Sequence, residues 1–532
     1  MAFFLGLDSS TQSLSAIVID TDEKRVVLDQ SVNFGRDLPN YGSPHGVLPN
    51  PDPRICHSDP LMWVEALDLL LARIKSEGFD LSRVAGISGA GQQHGSVYLK
   101  MPIADARGWS PAQPLVEQIR PLLSVPTSPM WMDSSTSEEC AEIAAAAGGR
   151  GRVLALTGSN PIERFTGPQI RKIWKTQLEA YRATREIHLV SSFMASLLTG
   201  TSVAIDLGDG AGMNLLDLKT ARWDPTLLDA TAPGLAERLR PAVPSHTTVG
   251  SIHRYFVERY GFRPGTPVVA FTGDNPSSLV GMGAIEPGLR LISLGTSDTV
   301  FAAMDGPRTD PHGYGHVFGN PAGGFMSLIC FTNGSLARER VAQRFNLDWN
   351  AFAAAIAETP AGNRGNLMLP FFTTETTPRL LDPGVELFGS PEFVAWQRPA
   401  EAVRAVLEAQ ALSMRKHSDW IGHAPKQLVL TGGASRNPGI QRVIADVFQT
   451  PVRVLQVANA SALGGALRAA HSVGNVPWPD LFGAFVALDP KVRVEPDPST
   501  RAAYTALSGA FEDRLAQRLA GSPRTTSVPR QN

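Results

Sequence analysis

Three places in this 532-residue sequence put carboxylates, hydroxyls and glycines where an apolar strand should stop. Phe3-Phe4-Leu5-Gly6-Leu7 runs into Asp8-Ser9-Ser10-Thr11-Gln12, and a second apolar run, Leu14 to Ile19, follows. Leu291-Ile292-Ser293-Leu294 runs into Gly295-Thr296-Ser297-Asp298, then Thr299 to Ala303, so that Leu7 and Leu294 align 287 residues apart. Each segment reads as a β-hairpin whose turn, with Ser9 and Thr11 in one copy and Gly295, Thr296 and Ser297 in the other, offers hydroxyls and backbone N–H groups. Amides converging on a concavity hold anions, phosphate above all. Where the first copy has Asp8 the second has Gly295, which suggests one wall for a metal and one for close approach of phosphate. Magnesium needs only one or two carboxylates beside phosphates and water; the plainer reading of Asp8 is an Asx residue closing its own turn.

Between the copies, the buried strand 267–271 stops at Thr272-Gly273-Asp274-Asn275-Pro276. Ligands of open α/β sheets gather at the carboxyl ends of strands. A carboxylate there can accept the proton of a hydroxyl nucleophile, and Asp274 is the candidate. The bland alternative is a turn with Asn275 as N-cap and Pro276 as the first helical residue. Another strand ends in Ser88-Gly89-Ala90-Gly91-Gln92-Gln93-His94-Gly95, whose amides and imidazole suit a polyhydroxyl ligand. Arg164, Asp133 and Trp131 are weaker candidates; Trp131 could stack on a sugar or sit in a core. A third strand, 428–430, ends in Thr431-Gly432-Gly433-Ala434, and paired glycines admit a flat group to the backbone. Asn437, downstream, either meets a nucleotide or caps the helix at Pro438.

The elements around these segments alternate strand and helix, which argues for α/β layers. Ser58-Asp59-Pro60 starts a helix over about 61–76 with an apolar face of Trp63, Ala66, Leu67, Leu70, Leu71 and Ile74. The length requires more than one core. The halves are expected to divide at 284/285 near the glycines Gly281, Gly283 and Gly288, giving an N-terminal domain 1–284, a C-terminal domain 285–520 and a frayed tail 521–532. The 48 Lys and Arg against 50 Asp and Glu leave a net charge of −2, so no bulk field attracts nucleic acid or an anionic membrane. Three scattered cysteines without a CxxC pattern argue against a disulfide framework and a thiolate metal site. Cys140 and Cys330 read as packing residues. With no basic leader and no stretch able to span a bilayer, the chain is expected in the cytoplasm. Absent motifs narrow the chemistry: there is no GxxxxGK[ST], HRD with DFG, HExxH, GxSxG or strand-linked GxGxxG.

The ordered strings Ser88-Gly-Ala-Gly-Gln-Gln-His-Gly95, Trp131-Met-Asp-Ser-Ser-Thr136, Ala270-Phe-Thr-Gly-Asp-Asn-Pro276, Ser293-Leu-Gly-Thr-Ser-Asp-Thr299 and Thr431-Gly-Gly-Ala-Ser435 resemble the FGGY carbohydrate kinases, in their animal-type, xylulose-acting branch. Gly208–Leu216 and Asn333–Leu336 match as well. The resemblance spans about residues 3–515. It implies two ribonuclease-H-like (actin/hexokinase-type) α/β domains around a cleft, with sugar mainly on the first and ATP on the second. By the same resemblance Asp274 is the general base, His94, Arg164, Asp274 and Asn275 contact the sugar, with Gln93 and Asp133 nearby, and Asp8 orients Mg2+. Gly295, Thr296 and Ser297 would face the phosphates; Gly432, Gly433, Ala434 and Asn437 would border adenosine, with Trp349 lining that site. The sequence departs from many bacterial members after Asp133, where Ser134-Ser135-Thr136 stands instead of an early Arg. The implied reaction is ATP-dependent phosphorylation of D-xylulose. A sister kinase for another ketose or polyol and a non-catalytic actin-like switch are the alternatives, and a homodimer is a family-level expectation.

Overall fold

The computed structural model describes residues 2–105, 108–457 and 459–521. The first sheet uses β1 (Phe3–Ser9), β2 (Ser13–Asp20), β3 (Arg25–Asn33), β4 (Val84–Gly91), β5 (Thr248–Ser251), β6 (Pro267–Val269) and β7 (Thr272–Gly273). The second uses β8 (Leu289–Leu294), β9 (Asp298–Met304), β10 (His316–Gly319), β11 (Phe325–Phe331), β12 (Gln427–Thr431), β13 (Val452–Leu455) and β14 (Leu488–Val494). The strand orders are β5-β6-β4-β1-β2-β3, with β7 also on β4, and β10-β11-β9-β8-β12-β13-β14. In each sheet an antiparallel meander (β1-β2-β3, β8-β9-β11) pairs its first strand in parallel with a later one, which takes a further parallel neighbour. The expected duplication is thus a duplication of whole sheets, and the ribonuclease-H-like architecture is present twice.

β1 is apolar almost without interruption because both of its faces are covered, a pattern proper to buried central strands. Phe3, Leu5 and Leu7 pack with Trp63 and Leu67 of α1 (Pro60–Ser76), whose N-cap Asp59 accepts the Leu61 N–H at 2.8 Å. Phe4, Ile17 and Ile19 face the other way, onto Ala462, Ala466 and Leu467 of a helix over 460–474. That helix follows β13 of the second sheet in sequence and packs beneath the first. It lies so close that a Cβ on Gly6 would stand 1.9 Å from the Ala462 carbonyl oxygen. Its buried Arg468 donates to the carbonyls of Gly89 at 2.5 Å and Ala270 at 2.8 Å, so one side chain ties β4 to the strand end before Asp274. Residues between β4 and β5 add a separate core around Tyr98, Ile170, Ile187 and Met213.

Three local expectations change. Asp8 and Ser9 belong to β1, paired with Ser15 and Leu14, and the turn is Ser10–Gln12, closed by Ser10 N–H on the Ser13 carbonyl at 2.9 Å. Pairing of Asp8 and Ser9 with Ala90 and Gly91 of β4 extends the strand past its apolar stretch. Helix α2 (Asp274–Gly281) begins one residue before the expected Asn275 cap, with Gly273 at the cap position, and the Asp274 carboxylate takes the Asn275 N–H at 2.8 Å. Gly521 ends the last helix, Arg501–Gly521; the rest of the expected frayed tail, 522–532, lies outside the described residues. Among the described residues no helix is long and apolar enough to cross a membrane.

Candidate functional site

β1, β4 and β7 end side by side, and their ends carry Asp8, Gln93 with His94, and Asp274. A cavity of about 470 Å³ opens there, lined by Thr11, Gln93, His94, Trp131, Arg164, Asp274 and Asn275 on one side and by Ser297, Thr299, His316, Cys330, Thr332 and Thr376 on the other. Each of the two halves supplies a wall. Asp274 Oδ1 collects three N–H groups, Asn275 N at 2.8 Å, Asn275 Nδ2 at 3.0 Å and Gln93 N at 3.3 Å. No donor among the described residues reaches Oδ2. Burial pushes the carboxyl up to about 6, with those backbone and side-chain bonds pulling the other way. Asn275 Nδ2 also holds Gln93 Oε1 at 2.9 Å, locking loop and carboxylate together.

His94 has a left-handed backbone, φ +72°, which turns its ring into the cavity wall. Its Nδ1–H donates to the Gly212 carbonyl at 2.9 Å, leaving the Nε2 lone pair to accept from a hydroxyl. Burial and then the Arg164 guanidinium push its pKa down to about 3, so the ring is neutral. Trp131 is 39 % exposed and donates Nε1–H to Thr11 Oγ1 at 2.9 Å, which places it at the cavity rather than in a core.

Asp133 is placed otherwise. It does not line the cavity: Ser135 N, Ser135 Oγ and Gln169 Nε2 occupy Oδ1, and Cys56 N occupies Oδ2. Four donors make it a buried anchor of the loop after Trp131, with no lone pair offered to the cavity. Ser9 is also buried and does not line the cavity; its hydroxyl has no hydrogen-bond partner among the described residues, and its carbonyl is taken by Gln92 N–H. Asp8 sits beside Asp274. Desolvation, then repulsion from Asp274, raise its carboxyl to about 7, and its Oδ1 is buried without a protein partner.

A second cavity, also about 470 Å³, lies in the C-terminal half, lined by Trp349, Phe352, Gly433, Ala434, Arg436, Asn437 and Ser335 among others. Trp349 is 57 % exposed there. Asn437 Oδ1 caps α3 (Pro438–Phe448) through Gly439 N and Ile440 N, so the cap reading holds while the residue borders the cavity. Gly432 has φ +86°, and a Cβ would stand 2.5 Å from the Leu294 carbonyl oxygen, so β12 ends tightly against β8. The turn Gly295–Ser297 lies between the cavities: Ser297 lines the first, while Gly295 O accepts from the N–H of Ser335, which lines the second. Arg338 secures that turn from behind through a buried two-bond pair with Asp298, at 2.8 and 2.9 Å.

Apart from Ser297, the C-terminal wall of the first cavity was missed by sequence reasoning. His316, Thr332 and Thr376 stand on or beside ordinary strands, and no local motif marks them, whereas Thr299 closes the Ser293–Thr299 string without having been singled out. Cys330, expected as packing, lines that wall, its thiol raised by burial.

Residues 115–281 match the model of the FGGY family of carbohydrate kinases, N-terminal domain, and residues 291–473 match its C-terminal domain. A rat protein described as xylulose kinase is 43% identical over 531 residues, covering 98% of this chain and 97% of its own. Xylulose kinase 2 of Arabidopsis thaliana is 42% identical over 489 residues, covering 88% of this chain and 87% of its own. Among solved structures, xylulose kinase from Rhodospirillum rubrum superposes with a TM-score of 0.84 at 24% identity, covering 98% of this chain and 100% of that one. Plasmodium falciparum glycerol kinase with ADP does so with a TM-score of 0.78 at 15% identity, over 97% and 98%. With its two cavities on either side of a duplicated hairpin, the chain belongs to the FGGY family of carbohydrate kinases and is an ATP-dependent sugar kinase.

Proposed function

We propose that the chain transfers the γ-phosphoryl group of ATP to the C5 hydroxyl of D-xylulose, with Asp274 as the general base. The observation that carries this reading is the Asp274 carboxylate itself: Oδ1 is held by three N–H groups, and Oδ2 stands free of protein donors in a cavity lined by sugar-type polar groups. Oδ2 takes the hydroxyl proton as the oxygen attacks phosphorus in line. His94 Nε2, Arg164 and Asn275 orient the remaining oxygens. Positioning and neutralisation dominate phosphoryl transfer, and a carboxylate base adds ~10²–10⁴-fold. Residues 1–284 then act as the sugar-binding half and 285–520 as the ATP-binding half. Trp349, Gly432, Gly433, Ala434 and Asn437 border the adenosine, and Thr11 with Gly295, Thr296 and Ser297 faces the phosphates.

Asp8 fits Mg2+: its carboxylate stands beside Asp274 with a buried Oδ1 that no hydrogen bond satisfies, which suits a cation or its water shell. Among the described residues no group of three ligating side chains is present, which suits an ion held largely by phosphates and water. Bound there, Mg2+ would neutralise charge on the β- and γ-phosphates. Asp8 is the residue that would hold it.

The test is coupled ADP release over a panel of ketoses and polyols. D-xylulose is expected to give the highest kcat/KM; a ribulose, ketohexose or polyol that surpasses it transfers the assignment to a sister kinase, and sugar-independent turnover alone would favour a nucleotide switch. Light scattering on the purified chain tests the homodimer.

A further inference from the structure

We propose that His316, contributed by the C-terminal half, is a sugar-contacting residue that helps set which ketose is accepted. The inference rests on the sugar-kinase reading of the first cavity and deepens it.

His316 opens β10, the edge strand of the second sheet, and lines the cavity opposite Gln93, His94, Arg164, Asp274 and Asn275. Its strand is seated directly on the N-terminal half: a Cβ on Gly208 would already lie 3.0 Å from the Gly319 carbonyl oxygen. The ring is fixed by its neighbours. Phe165 meets it edge-on at 5.3 Å and meets His94 edge-on at 4.8 Å, and Phe318 flanks both histidines at 6.1 and 6.3 Å. Two imidazoles, one from each half, are therefore held by shared phenyl rings on one cavity.

They differ in one respect. His94 spends Nδ1 on the Gly212 carbonyl. His316 is 8 % exposed, yet neither of its ring nitrogens hydrogen-bonds to any described residue, and Nδ1 is fully shielded. Nε2, which is not shielded, is the nitrogen left open to the cavity, and with no protein partner it is placed to bond a ligand there. Burial and Arg164 keep the ring uncharged, with its pKa pushed down to about 3. A neutral imidazole offers one N–H and one lone pair, which complements a hydroxyl or a ketose carbonyl, not an anion. His316 and Arg164 also border an adjoining chamber of about 550 Å³ with Asn160, Tyr314 and Arg379, so they stand where longer sugars would extend.

The experiment compares wild type with His316→Phe, which keeps an aromatic ring and removes both nitrogens, and His316→Gln, which restores a donor and an acceptor. The expected result is a rise of about tenfold in KM for D-xylulose in His316→Phe, with kcat changed less than about threefold and KM for ATP unmoved. His316→Gln recovers part of the loss. A KM for D-xylulose within about twofold of wild type in a folded His316→Phe overturns the inference; thermal melting establishes folding, and His316→Leu takes its place under the same criterion if it does not fold. Should wild type prefer another sugar, the function proposed above fails by itself, and the same comparison with that sugar still decides on His316.

Discussion

Asn275→Ala isolates how the protein tunes its proton acceptor. The Asn275 amide at 3.0 Å is one of three N–H groups on Asp274 Oδ1, and each of them favours the ionised form against the burial that lifts the pKa to about 6. Deleting the amide leaves the backbone N–H groups of Asn275 and Gln93 in place. The loss to the carboxylate is about 1 kcal/mol, since water entering the cavity replaces part of the bond. At 1.36 kcal/mol per unit this is an upward shift of about 0.7. The base must be ionised to work, so the acid limb of kcat/KM against pH moves upward by that amount. At about pH 6 the ionised fraction falls from roughly half to roughly one sixth, and the pH 6 to pH 8 rate ratio drops about threefold. Coupled ADP release at saturating ATP and low ketose measures it, and the normalised profile is insensitive to any change in sugar affinity. Asp8 and Asp274 titrate as a pair, so the displacement of the limb is read, not its absolute position. An acid limb that stays in place or moves to lower pH refutes the account of the site's electrostatics.

Asp274→Ala is expected to bind ADP as wild type does in calorimetry while sugar phosphorylation falls ~10²–10⁴-fold; retention of most of the turnover removes Asp274 as base. Asp8 titrates at 3.8 in the unfolded reference and at about 7 in the fold, so between those values the folded chain keeps a proton the unfolded chain has released, and wild type loses stability as pH rises through that window. Asp8→Asn removes this dependence. Its stability relative to wild type should grow by about 3 kcal/mol from pH 4 to pH 7 and level off by about pH 8, as followed by urea unfolding. Arg468→Met removes the guanidinium from the Gly89 and Ala270 carbonyls, leaving Ala270 the Ser88 hydroxyl at 3.1 Å, and takes the facing cation from Asp206, at a cost of about 3–5 kcal/mol. Arg468→Lys should recover only part, because an ammonium cannot fork between two carbonyls; a Met variant within about 0.5 kcal/mol of wild type would contradict the tie.

The hairpins were legible because polar turns interrupt apolar strands, and the period of a strand needs only local sequence. Asp274 with Asn275, the Gln93-His94 loop and the Gly432-Gly433 turn were legible for the same reason: each ends a strand. What escaped was set by tertiary contact. His316 and Thr332 lie at the ends of strands whose sequence looks like any other, and they become a cavity wall only when the second sheet faces the first. Asp133 sits in a motif beside Trp131, yet the donors that occupy it come from residues 56, 135 and 169, a closure no spacing reveals. The reach of β1 past Leu7 depends on its pairing with Ala90 and Gly91, far along the chain.

The helix over 460–474 has a consequence for inheritance. Although it comes far beyond β3 in sequence, it supplies the lower surface on which Phe4, Ile17 and Ile19 rest. A fragment ending at residue 284 would present those side chains to water, and the remaining fragment would carry Ala462, Ala466 and Leu467 with nothing to cover them. Neither half is a free-standing body, so the duplicated sheets can no longer be separated into the units they resemble. Chimeras between relatives should fold well only when residues 1–284 and 460–474 come from the same parent.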